Sequence, residues 1–138
     1  MLSQTSDYAL RAVLVLAREY EHRSLRAEEI AGATGAPANY MSKTLNALTK
    51  AGVLKSARGP MGGFSLAIDP RILTIARVVD CFERRKPQTR CILGTGPCDA
   101  ANPCAAHHRW TAINGARRAP LSVSIASLLD GQTEMPPF

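Results

Sequence analysis

The sequence predicts a mainly α-helical fold with one small β-hairpin, and three observations carry that reading. Apolar residues recur at helical spacing in several separate stretches, and two short alternating runs, VLKSAR and FSLAI, flank the turn-forming GPMGG. Glycine, proline or a capping side chain stands wherever a helix would have to start or stop.

In chain order, residues 7 to 20 place Leu10, Val13, Leu14 and Ala17 at i, i+3, i+4 and i+7, one face of a first helix. Ser24 offers an N-cap before LRAEEIAGATG, where Glu28 and Glu29 suit an early turn and Gly35 supplies the stop of a short second helix. Pro37 suits the opening of a third, ANYMSKTLNALTKAG, which runs until Gly52 can cap it. The hairpin follows, with Phe64, Leu66 and Ile68 alternating on its second strand. Thr74 caps a fourth helix carrying Ile75, Val78, Val79 and Phe82, and Cys81 reads as a small buried hydrophobe within it. Asn102 and Pro103 are placed to open a fifth helix of about sixteen residues ending at Ala119, roughly 24 Å long. Its Ala105, Ala112, Ala116 and Ala119, with Trp110 and Ile113, suggest close packing against another helix. Pro120 ends it, LSVSIASLLDG forms one more short helix, and EMPPF is a frayed tail. Two helices, a tight turn, a longer helix and a Gly-rich hairpin are the element order of a winged helix-turn-helix. The expected division is a DNA-binding unit at 1–82, a cysteine-rich loop at 83–104, and a dimerisation helix with tail at 105–138.

Charge supports nucleic acid as the partner. The chain of 138 residues carries a formal +6 and a sequence pI near 9.6, and no Asp or Glu stands between Glu29 and Asp69. Within that stretch the third helix sets Met41, Leu45 and Leu48 on one side and Asn39, Ser42, Lys43, Asn46 and Lys50 on the other. Asn39, Tyr40, Ser42, Lys43, Asn46 and Lys50 are the candidates for the duplex, joined by Arg58, Gly62 and Gly63 of the wing. Arg58 suits a narrow, strongly negative minor groove. Asp7, Arg11 and Arg18 interrupt the first apolar run, which excludes a signal peptide or membrane span and points to a cytoplasmic protein. No phosphate-cradling GxGxxG, P-loop or nucleophile–base pair argues for an enzyme.

The chemistry-bearing segment is CILGTGPCDAANPCAAHHRW, residues 91–110, which holds three of the four cysteines and two of the three histidines. Cys91, Cys98 and Cys104 are separated by six and five residues, and His107 follows Cys104 at i+3. In a reducing compartment such thiols favour metal or redox chemistry over structural disulfides. The loop has no CxxC pair, and its long gaps lean toward an iron–sulfur cluster over one zinc ion. Zinc binding, a thiol switch, and an iron–sulfur electron-transfer module with an incidental helix-turn-helix are the alternatives.

SDYALRAVLVLA, the EEIA…TG…YMSKTLNALTKAGVLKSARGPMGGFSLA block and the C-x6-C-x5-C-x2-H loop together resemble the Rrf-type winged-helix transcription regulators over nearly the whole chain. The resemblance implies a homodimer with crossing fifth helices and a palindromic double-stranded DNA site. It also implies one iron–sulfur cluster per subunit, [2Fe-2S] or [4Fe-4S], held by Cys91, Cys98 and Cys104, whose state sets repression in response to redox, oxygen, nitric oxide or iron–sulfur status. In IscR-like members the fourth ligand is a histidine matching His107; in NsrR-like members it is a helix-one aspartate matching Asp7, donated by the partner. Two features depart from IscR-like members: the first cysteine spacing is one residue longer, and Ser42 and Lys43 replace an acidic–amide pair.

Overall fold

Helix α1 (Gln4–Arg18) starts where the Ser3 hydroxyl accepts the Ser6 N–H at 3.3 Å, ahead of the first apolar repeat. In a computed structural model, which describes residues 2–83, Leu93 and residues 99–131, α1 is the centre of the fold. Its Ala9, Ala12 and Val13 are wholly buried and Leu16 nearly so. Two alanines on that stripe let neighbouring helices approach closely, and α2, α3, α4 and a C-terminal helix all pack on it.

Helix α2 (Ala27–Thr34) is capped at Arg26, not at Ser24 as the sequence suggests. The reason lies in the hairpin: Leu25 donates to the Phe64 carbonyl at 2.9 Å and accepts from its N–H at 2.7 Å, which makes Leu25 a bridge partner of the second strand. Helix can begin only after that bridge, and the Glu29 carboxylate then takes the Arg26 N–H at 2.8 Å. Gly35, in the left-handed conformation, ends the helix as expected.

Helix α3 (Ala38–Lys50) follows Pro37, which stands at its N-cap. It closes in a Schellman motif, with the Gly52 N–H on the Thr49 carbonyl and the Val53 N–H on that of Leu48, both at 3.0 Å. Strands β1 (Leu54–Ala57) and β2 (Gly63–Leu66) form the antiparallel hairpin, in register from Leu54↔Leu66 to Ala57↔Gly63. Together these elements confirm a mainly α winged helix-turn-helix.

Helix α4 (Ile75–Val79) is capped by the Thr74 hydroxyl, as the sequence predicts, but it is shorter than the apolar spacing implies. Cys81 therefore lies in the turn beyond it, half-buried, with its thiol donating to the Arg77 carbonyl at 3.2 Å. Helix α5 (His107–Arg118) begins later than Asn102–Pro103 and spans 12 residues, not about sixteen. The Asp99 carboxylate accepts the Ala101 N–H at 2.9 Å, an Asx turn that holds the approach to Cys104 out of helix. Pro120 does end α5, in a 3₁₀ turn over Ala119–Ser122. Helix α6 (Ile125–Asp130), capped by Ser124, is then brought back by a Thr74–Ser124 bridge.

One core results. Leu16, Ile30, Met41, Leu45, Leu48, Leu66, Leu73 and Ile125 are its largest members, so α6 shares the core of the winged unit. The segment 84–92, the loop 94–98 and the tail 132–138, with Cys91, Cys98 and EMPPF, lie outside the described residues.

Gly63 combines left-handed backbone with a close backbone approach. Its φ is +142°, and a Cβ there would sit 2.5 Å from the Leu25 carbonyl oxygen. Gly63→Ala should cost about 1 to 3 kcal/mol or more, because strained backbone and a backbone clash add. Urea denaturation against the native protein measures it.

Candidate nucleic-acid interface and cysteine loop

The buried side of α3 is Met41, Thr44, Leu45 and Leu48, and this alone fixes which side faces solvent. Asn39, Lys43, Asn46 and Lys50 are exposed, whereas Ser42 is half-buried. Asn39 spends its side-chain oxygen on the Tyr40 N–H at 2.8 Å, so what it chiefly offers a ligand is its NH2 group. Ser42 donates its hydroxyl proton to the Ala38 carbonyl at 3.0 Å and is left as an acceptor. Tyr40 is differently employed: its hydroxyl shares a short hydrogen bond with Thr5 of α1, and its ring meets that of Tyr8 edge-on at 5.6 Å. It anchors the third helix to the first.

Free positive charge concentrates on this side. Among the described residues, no carboxylate pairs with Lys43, Lys50, Lys55 or Arg58. The acids that border the stretch are occupied elsewhere: Glu29 bonds Arg23 at 3.1 Å, and Asp69 bonds Arg71 at 2.6 Å. Hydrogen bonding from the Arg71 side chain holds the Asp69 carboxyl below its ordinary range, and the Arg26 backbone does the same for Glu29. Both stay ionised at neutral pH, yet each faces an arginine of its own. A polyanion docking on α3 and the wing meets cations first.

In the wing, the Gly62 N–H donates to the Gly59 carbonyl at 2.9 Å, so Gly59–Pro60–Met61–Gly62 is a β-turn at the apex. Gly62 and Gly63, both candidates for the duplex, have structural duties here. A Cβ on Gly62 would lie 2.4 Å from the Ala57 carbonyl oxygen.

At the cysteine loop, the structure brings two of the five candidate ligands together. Cys104 and His107 stand one turn apart at the start of α5, with the His107 N–H on the Cys104 carbonyl at 3.0 Å. Both are half-buried. Asp7 is elsewhere, in the first turn of α1, where Arg11 holds it at 2.7 Å; Arg11 also lies over the Tyr8 ring and reaches the Thr34 carbonyl at 3.5 Å. Among the described residues no three His, Cys, Asp or Glu side chains gather as a metal site. The donor set itself is suited to iron: three thiols and an imidazole within seventeen residues of sequence.

Residues missed by sequence reasoning sit between these two regions. Glu83, the last described residue before the loop, accepts the Ser3 N–H at 2.8 Å and the Ser6 hydroxyl at 2.7 Å. Ser6 is completely buried. A hydrophilic helix N-terminus gave no signal of this, because the partners are 77 and 80 residues apart.

Comparison with known proteins now decides the family. A family model described as Rrf2, iron-dependent transcriptional regulator, matches residues 2–131. The chain belongs to the Rrf2 family. A helix-turn-helix-type transcriptional regulator of Aquifex aeolicus is 38% identical over 112 residues, covering 80% of this chain and 77% of the relative. The regulator IscR of Vibrio cholerae is 28% identical over 109 residues, and the match spans 79% of this chain and 62% of that protein. The fold matches CymR, the global cysteine regulator of B. subtilis, with TM-score 0.78 at 22% identity, covering 96% of this chain and 98% of that one. This Rrf2 protein is thus a transcriptional regulator, similar to regulators of the helix-turn-helix type. Among the described residues no helix is long and apolar enough to cross a membrane.

Lys43 is exposed and its ammonium is unpaired among the described residues, so Lys43→Ala should leave circular dichroism unchanged and weaken duplex binding. The slope of log affinity against log salt should fall by about 1, the share of one phosphate contact. Anisotropy titration at four salt concentrations reads both.

Proposed function

We propose that this Rrf2 regulator is a homodimeric repressor in which an iron–sulfur cluster, held by Cys91, Cys98 and Cys104, sets the affinity for a palindromic promoter site. The observation that carries this reading is the crowding of soft donors within residues 91–110, with the His107 N–H bonded to the Cys104 carbonyl where α5 begins. IscR of V. cholerae, an iron-dependent family description and the donor chemistry support it. Such a cluster, when bound, supplies a centre that reacts with oxygen and nitric oxide.

The chain's own residues supply the rest. The Asx turn at Asp99 holds Cys104 in irregular backbone, and α5 carries any displacement of Cys104 along its length. For the fourth position we favour His107, because it stands beside Cys104, whereas Asp7 would first have to give up Arg11. On α3 and the wing, Asn39, Ser42, Lys43, Asn46, Lys50 and Arg58 contact the duplex, while Tyr40, Gly62 and Gly63 hold those elements in shape. A coupling of about 1 to 3 kcal/mol between cluster state and DNA affinity changes occupancy some 5- to 150-fold.

The same thiols can hold zinc or act as a thiol switch, and composition separates these readings. Protein purified without oxygen should be brown and contain iron and inorganic sulfide; zinc or free thiols would leave it colourless. Cys104→Ser should remove most of the iron. His107→Ala should alter the visible absorption and the electron paramagnetic resonance spectrum of the reduced protein, and Asp7→Asn should leave both unchanged. The reverse pattern would transfer the fourth position to Asp7.

A further inference from the structure

The wing apex carries an apolar residue where a duplex-facing surface would ordinarily be polar. Met61 is 90% exposed, the most exposed large hydrophobic among the described residues. It occupies the third position of the Gly59–Gly62 turn, the outermost point of the hairpin. A partner that covered Met61 would bury apolar surface that the fold leaves in water.

The apex is also held firmly. Pro60 fixes its own φ, and the Arg26 guanidinium donates to the Pro60 carbonyl at 3.5 Å. Gly62 and Gly63 press so closely on backbone that neither has room for a Cβ, and Gly63 ties β2 to Leu25 of the body. A side chain on such a mount is presented at a set height above α3.

Its surroundings select the partner. Arg58 and Lys55 are the charged residues of the wing, both exposed and within the stretch between Glu29 and Asp69 that carries no acid; Arg26, which clamps the apex, has its backbone N–H on the Glu29 carboxylate. An apolar tip among cations does not match an apolar protein surface, which would have to desolvate them. It does match DNA, whose phosphates take the cations while stacked bases take the apolar tip. Methionine is unbranched and flexible enough to enter between base pairs, as wedge residues of minor-groove proteins do.

We infer that Met61 is a wedge that enters the minor groove beside Arg58 and opens a base step, making this chain's site preference depend on how easily that step unstacks. The inference rests on the DNA-binding reading above. Flexible pyrimidine–purine steps such as TA and CA would be preferred under the wing.

The test uses the full-length protein and a duplex selected from a randomised pool by the native protein, with 2-aminopurine placed at successive steps under each wing. Native protein should raise the fluorescence at one step per half-site. Met61→Ala should abolish that rise and weaken binding about tenfold, the order of one lost wedge contact, whereas Met61→Leu should keep most of both. Circular dichroism and the unchanged salt slope of Met61→Ala would show that the fold and the phosphate contacts survive. If native protein binds the duplex and Met61→Ala matches it in affinity and fluorescence, the wedge is wrong and DNA binding stands. If native protein selects no duplex in any state, both readings fall.

Discussion

The first turn of α1 is the constraint on which the arrangement depends. Within four residues, Ser3 and Ser6 hold Glu83 at the root of the cysteine loop, and Thr5 holds Tyr40 of α3. Behind that turn, Ala9, Ala12, Val13 and Leu16 are packed solid. A helix seated on a dense core cannot yield by small continuous amounts. Movement at Glu83 therefore has two outcomes: the buried Ser6 hydroxyl loses its carboxylate acceptor and keeps only the Ser3 hydroxyl, or the turn follows. If it follows, Tyr40 and the α3 N-terminus are tied to it. Asp7 and Arg11 stand in the same turn and the next, and Arg11 reaches the end of α2. The root of the cysteine loop and the start of α3 thus share one short piece of backbone.

That sharing explains which features were legible in the sequence. Elements whose cause is local were visible: the apolar stripe of α1, the two sides of α3, the Gly52 closure, the Thr74 cap and the stop at Pro120. Features caused by distant backbone were not. Ser24 looks like an N-cap until Leu25 is seen bridging Phe64, and no local rule announces a strand partner 39 residues away. Gly63 looks like a flexible wing glycine, yet the same bridge makes it a packing requirement. The fifth helix was overextended because Asn-Pro is a good helix opening in isolation, whereas the Asp99 turn just before it leaves that stretch irregular. Tyr40 stands among the DNA-facing candidates by position, and its contacts with Thr5 and Tyr8 add a structural duty that position does not reveal.

The acid-free stretch is more than a count of charges. Glu29 and Asp69 frame it, and each is held by an arginine and by a backbone N–H within three residues. The borders are paired with arginines, so among the described residues the lysines of α3 and β1 have no carboxylate partner to compete with phosphate. Exposed pairs of this kind add little stability, and their clearer consequence is the field they leave to the rest of the surface.

Helix α5 presents the converse case. Ala112, Ile113 and Ala116 are exposed, with Ile113 at 47%, and an isolated helix of 12 residues is marginal in water. Trp110 adds a buried indole N–H without a partner among the described residues, in a side chain that usually finds one. Small residues on an uncovered helix stabilise nothing by themselves, but they allow a second helix to approach closely, and the copy most available to any chain is its own. Pairing through α5 would bury that stripe, and it would bring two wings and two α3 helices under one two-fold axis. The root of α5 is where Cys104 and His107 stand. In such a pair, a change in what those side chains bind would be imposed at the end of the helix that would set the distance between the two α3 helices, where a small displacement would most alter the fit to a two-fold site.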